Sequence, residues 1–120
     1  DGTTPLTAAT FIGDKAMVAV LLDKGANVDK GRSRDGDTPL IAAAWQGHAF
    51  VAAALLDKGA TVDQAKTTGA HPRLVGATPL FIAAMRGQSS VVKVLLAKGA
   101  QVNQATKSGN TFLSFFFIEL

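Results

Sequence analysis

The sequence predicts an all-α solenoid, short helix-turn-helix pairs stacked side by side, and three observations carry that prediction. The phrase "LLDKGA" stands at residues 21–26 and 55–60 and returns as "LLAKGA" at 95–100. "TTPL" (3–6), "DTPL" (37–40) and "ATPL" (77–80) precede the three copies, and the Thr of each "TPL" stands 17 positions before the first Leu of its "LL". Gly and Pro punctuate each unit at matching offsets, which leaves room for two short helices per unit and no long one. Self-similarity of this kind marks a stacked array.

The third copy, "ATPLFIAAMRGQSSVVKVLLAKGAQVN" (77–103), shows how the elements arise. Thr78 before Pro79 starts a helix: the hydroxyl accepts from a free N–H, and Pro at the first position lacks the donor that would go unpaired. Gly87 closes that helix about two turns later. A second helix is expected from Ser89 to Lys98, with Ser89 or Ser90 able to cap it. Val92, Leu95 and Leu96 stand at i, i+3 and i+4 as one apolar stripe. Lys98 then places a cation in the last turn, and Gly99 suits the left-handed turn just past it.

The other copies use the same devices. Thr4-Pro5 and Thr38-Pro39 open the first helices, and Gly13 and Gly47 close them. Val18, Leu21, Leu22 and Ala52, Leu55, Leu56 form the matching stripes, ended by Gly25 and Gly59. Ala8, Ala9, Ala42, Ala43, Ala83 and Ala84 keep the first helices slim, so neighbouring units can approach closely. A two-helix unit this small cannot bury its apolar face alone, and stacking supplies the core.

Composition narrows the function classes. With 48% hydrophobic and 18% charged residues the chain folds rather than staying disordered. The absence of Cys excludes disulfides and thiolate metal sites and makes a reducing intracellular, cytoplasmic setting the expected one. The chain begins at Asp1 without a Met and ends on an apolar run, so it reads as a fragment. That run, "FLSFFFIEL" (112–120), falls short of the roughly 20 residues a membrane-spanning helix needs. Neither "GxxxxGK[ST]" nor "GxGxxG" occurs, and His48 and His71 have no acid beside them in the repeat. No catalytic activity, cofactor or metal is expected.

The pattern "G-x-TPL-x-x-AA", a Gly at the helix turn, "LL-x-x-GA-x-V-[DN]" and a period near 33 resemble the ankyrin repeat over residues 2–113. The resemblance implies a curved stack of helix pairs with projecting β-hairpin fingers, and binding to other proteins. It divides the chain into repeat 1 (about 2–34), repeat 2 (about 35–74, with a long finger at 64–76), repeat 3 (about 75–107) and a partial repeat 4 (about 108–120). The His that follows "TPL" in the family is Thr7, Ile41, Phe81 and Ser114 here. Successive Thr residues 4, 38, 78 and 111 are 34, 40 and 33 apart, an irregularity that suits a natural sequence rather than a consensus design.

The surplus of about seven residues lies in "QAKTTGAHPRLVG" (64–76), where Gly69, Pro72 and Gly76 mark a turn-rich loop. Drift accounts for it, because loops absorb insertions at little cost; a specialised contact loop is the sharper alternative. The fingers carry Lys30, Arg32, Arg34, Lys66, Arg73 and Lys107 against Asp29, Asp35, Asp37 and Asp63, a shallow basic rim able to steer an acidic partner. Lys24, Lys58 and Lys98 recur as helix C-terminal charges. His48 begins a second helix, where the family often has a structural His.

Phe11, Trp45 and Met85 stand two residues before the helix-turn Gly of each unit, and Phe117 would be the fourth. In ankyrin repeats this place faces the concave groove, so these residues, with neighbours Ile12, Gln46 and Arg86, are candidate partner contacts. Arg34, Asp35, Asp37, Leu74, Val75 and Lys107 add the finger contacts. The expected function is therefore a protein-interaction scaffold with apolar anchors for affinity and finger charges for orientation. The alternative is an anionic polymer or lipid headgroup held by the basic fingers, with steep salt dependence. Mixed charge and missing aromatic-basic interleaving disfavour nucleic acid. The Phe-rich C-terminal end suggests self-association.

Overall fold

Thr4, Thr38 and Thr78 each turn a hydroxyl oxygen back onto the helix they begin. The acceptances are from Thr7 N–H at 3.1 Å, Ile41 N–H at 3.2 Å and Phe81 N–H at 3.2 Å. This is the capping that Thr-Pro predicts, satisfying one donor that the first helical turn would leave unpaired. In the computed structural model, which describes residues 2–69 and 72–111, six α-helices follow. They are α1 (Pro5–Ile12), α2 (Lys15–Asp23), α3 (Pro39–Gln46), α4 (Ala49–Asp57), α5 (Pro79–Met85) and α6 (Ser89–Ala97). A 3-10 turn at Pro72–Leu74 lies within the long finger. Among the described residues, no helix is long and apolar enough to cross a membrane.

Each first helix packs on its own second helix and on the first helix of the next unit. The second helices likewise contact one another in order, so α1, α3 and α5 make one layer and α2, α4 and α6 the other. The core lies between the layers. Leu6, Leu40, Leu80, Ile41, Ile82, Val18, Val51, Val91, Leu55 and Leu95 are all buried there. Ile41 and Phe81, which replace the family's histidine, are buried apolar groups, and Thr7 is buried with its hydroxyl 3.0 Å from that of Thr4.

Burial along the stripes depends on a residue's place in the stack. Met17, Val51 and Val91 are equivalent, with exposures of 48%, 2% and 0%. Leu22, Leu56 and Leu96 run the other way, from 8% through half-buried to 40%. One edge of each second helix therefore packs on the preceding unit and the other edge on the following one. The expected stripe Val92, Leu95, Leu96 needs correcting for this reason: Val91 and Leu95 are the buried pair, while Val92 is half-buried and Leu96 exposed.

A second correction concerns the start of α6. Neither Ser89 nor Ser90 caps it; the capping position is Gln88, and no side chain bonds the first turn. The Gln88 side chain instead donates its amide to the Trp45 carbonyl of the preceding unit at 3.1 Å. His48 does the same one unit earlier, with Nε2 at 3.2 Å from the Phe11 carbonyl oxygen. In the first described unit the equivalent Asp14 caps its own helix, accepting from Met17 N–H at 3.0 Å. One sequence position thus switches from local capping to a clamp between units.

The clamp depends on Gly13, whose φ is +83° and whose added Cβ would lie 2.6 Å from the His48 ring. Gly13→Ala is expected to cost about 2 kcal/mol, from left-handed backbone strain of roughly 1–2 kcal/mol and a disturbed hydrogen bond of about 1 kcal/mol. Gly25→Ala, at φ +85° with open space around it, carries the strain alone. Urea midpoints of the two variants measure the clamp; equal midpoints would mean that His48 contributes nothing there.

The fingers contain no strand among the described residues, so the expected β-hairpins are present only as closed loops. Equivalent backbone bonds close them: Arg32 N–H to Asp37 O (3.0 Å), Lys66 N–H to Ala77 O (2.9 Å) and Thr106 N–H to Asn110 O (2.8 Å). The insertion therefore lies within a closure that the other two units share. Partial repeat 4 (108–120) lies outside the described residues from 112 onward, and with it Ser114, Phe117 and the Phe-rich end; so do Asp1 and His71.

Candidate functional site

Trp45 is the last but one residue of α3, on the turn that Gly47 closes, and its ring is half-buried. The helix aims it at the bases of the fingers. There Arg34, Asp35, Asp37, Lys66, Gly69 and Leu74 join it in lining a recess of about 400 Å³, at the small end of ligand-binding clefts. Five of the twelve candidate contact residues, Arg34, Asp35, Asp37, Trp45 and Leu74, are thus brought to one place.

The polar wall of the recess is internally balanced. Lys66 is buried (5% exposed) and its ammonium pairs with the equally buried Asp37 carboxylate. It also donates to the Asp35 carbonyl oxygen at 2.9 Å. Arg32 pairs with Asp35, its Nε donating to Oδ1 at 3.0 Å, and reaches Asp37 at 3.7 Å. Two cations and two carboxylates therefore cancel. Burial pushes the Asp37 carboxyl above its ordinary range against the opposing pull of Lys66 and Arg32. Burial acts the same way on Asp35, but the Arg32 hydrogen bond, a backbone N–H bond and both cations bring it below its ordinary value.

Arg32 and Lys66 entered the reading as part of a basic rim, and that is corrected: they are structural. Lys66 fastens the second finger to the first, and Arg32 stacks over the Phe11 ring with 4.6 Å from guanidinium carbon to centroid. The finger aspartates are engaged too. Asp29 accepts from the Thr61 backbone N–H at 2.9 Å and hydroxyl at 2.8 Å, and Asp63 accepts from Gln101 N–H at 3.0 Å. These bonds tie each finger to the next unit. Lys66 stands where Arg32 stands one unit earlier.

The remaining candidates do not line the recess. Arg86 lies over the Trp45 ring, 5.5 Å from its centroid, and is exposed. Phe11 and Met85 are half-buried on the same helix layer, Gln46 is exposed, and Ile12 is 77% exposed. Val75 accepts from the Lys107 backbone N–H at 3.0 Å, which joins the long second finger to the third and leaves the Lys107 side chain exposed.

On the opposite layer, Lys58 reaches Asp23 at 3.3 Å and Lys98 reaches Asp57 at 2.9 Å. These bridges link successive units but, being exposed, contribute little each. Among the described residues, no group of three or more His, Cys, Asp or Glu could hold a metal ion.

The arrangement is a cleft in which the apolar groups of Trp45 and Leu74 meet the charged side chains of the finger bases. The family model described as "Ankyrin repeats (3 copies)" matches residues 1–66, and the one described as "Ankyrin repeat" matches residues 75–107. Comparison with curated proteins gives no match.

Proposed function

The chain belongs to the ankyrin-repeat family, whose members generally mediate protein–protein interaction, and on that premise we propose that it binds a partner protein through the Trp45 recess and the finger bases around it. The observation that carries this reading is the convergence of a half-buried Trp with Leu74 and finger charges in one concave place. Large aromatic side chains in partly desolvated clefts supply most of the affinity at interfaces. The scaffold beneath is fixed by clamps between units, so little ordering entropy is lost on binding. Phe11, Ile12, Gln46, Met85 and Arg86 extend the contact along the helix layer, and Arg34, Asp35, Asp37, Leu74, Val75 and Lys107 form its finger side.

The alternative, an anionic polymer or lipid headgroup held by basic fingers, loses support because two of the six finger cations are engaged internally. Capture from a lysate by wild type and by Trp45→Ala, at low and high salt, separates the two. The expected result is retention of the partner at high salt by the wild type. Trp45→Ala should weaken it by at least tenfold, a loss of about 1.4 kcal/mol or more. Capture that disappears with salt and ignores Trp45→Ala would overturn the reading.

A further inference from the structure

Once the internal pairs are set aside, the charges free to meet a partner around the recess have one sign. Of the six finger cations, Arg32 and Lys66 are paired, whereas Arg34, Arg73 and Lys107 are exposed and stand at or beside the recess. Arg34 lines it. Arg73 adjoins the lining residue Leu74, and Lys107 is held by its backbone against Val75. Arg86, also exposed, lies on the Trp45 ring itself. Both carboxylates that line the recess are turned inward to Arg32 and Lys66. No acidic side chain lining the recess is left to answer the cations.

We infer that the recess recognises an acidic segment of a partner protein carrying one large apolar side chain. The inference rests on the protein-binding reading above and adds the chemistry of the partner. The apolar side chain enters between Trp45 and Leu74, beside Lys66, Asp35 and Asp37, whose charges balance together with that of Arg32. Carboxylates flanking it meet the exposed cations Arg34, Arg73, Arg86 and Lys107. Complementary charge raises the association rate and fixes the orientation, while the buried apolar group slows release. A nucleic acid fits less well, because among the described residues Trp45 is the one aromatic side chain lining the recess and the Arg86 guanidinium already covers one of its faces, so successive bases find no stacking platform.

The test uses the purified chain and fluorescein-labelled probes, with affinity read by anisotropy. One probe is a short peptide of Asp and Glu around a central Phe. The others are the same peptide with Ser for Phe, the same peptide with Lys for every acid, and a single-stranded DNA oligomer of equal charge. The acidic Phe peptide should bind at least about tenfold more tightly than each of the others, more weakly as salt rises. Arg34→Glu/Arg73→Glu, both exposed and checked for intact helicity, should lose that binding and gain the Lys peptide. Equal binding of the Lys peptide or the DNA, no binding of the acidic peptide, or indifference to the double charge reversal would overturn the inference. Lysate capture that still depends on Trp45 in any of those cases would leave the protein-binding reading standing, so the two fail separately.

Discussion

Lys66→Ala is expected to destabilise the protein by about 3–5 kcal/mol, a large part of the 5–15 kcal/mol that holds a typical domain together. The reason is what remains behind. Asp37 is 4% exposed and its carboxylate faces the Lys66 ammonium; with the cation gone, a buried carboxylate keeps only Arg32, at 3.7 Å and already paired with Asp35. The Asp35 carbonyl oxygen loses its donor as well. Removing both charges is a different experiment. Lys66→Met/Asp37→Leu should recover more than half of the loss, because the penalty belongs to the unpaired charge rather than to the missing attraction. Chemical denaturation of the two single variants and the double variant measures this directly. A single Lys66→Ala variant within about 1 kcal/mol of wild type would show that the pair does not fasten the fingers.

Leu55→Ala should cost about 3 kcal/mol or more, and Leu21→Ala about 1 kcal/mol, although both leucines open the same phrase. Leu55 is fully buried, with α2 on one side of its helix and α6 on the other. Leu21 is only half-buried, because among the described residues no unit packs on its edge of α2. Deleting the same atoms therefore leaves a closed cavity in one case and a surface dent in the other. Leu96→Ala, at 40% exposure, should also be mild. Equal losses at residues 21 and 55 would refute the dependence on place in the stack. The comparison uses the same denaturation midpoints and is independent of any ligand.

The contrast between these leucines shows what the letters could convey. Local rules were legible: a Thr before Pro caps a helix, a Gly just past a Lys turns the chain, and both need only neighbours a few residues away. Recurrence at a fixed spacing then named the layers. Burial at Leu22, Leu56 and Leu96 was not legible, because three copies of one phrase differ only in what stands beside them. The Lys66–Asp37 pair lay hidden for a related reason. Its partners are 29 residues apart and lie in loops, where no periodicity points from one to the other. Counting finger charges gave a rim of six cations, and only coordinates could sort the structural pair from the exposed ones. At residue 88 capping rules pointed to the adjacent serines, whereas the longer Gln side chain reaches a carbonyl in the preceding unit. Trp45 and Leu74 stood among the residues the sequence singled out, but their meeting in one recess with a balanced wall between them did not show in it.

The second finger leaves and rejoins its unit where Lys66 N–H meets the Ala77 carbonyl oxygen and Gly76 N–H meets that of Lys66. A foreign segment spliced into that loop away from Gly69, Leu74 and Val75 would start with its ends already held together, while the helices on either side keep their spacing. The extra length would cost only the slowly growing entropy of a longer closed loop. The chain thus carries a ready port for presenting new sequences, and its length has already been varied there once relative to the other two units.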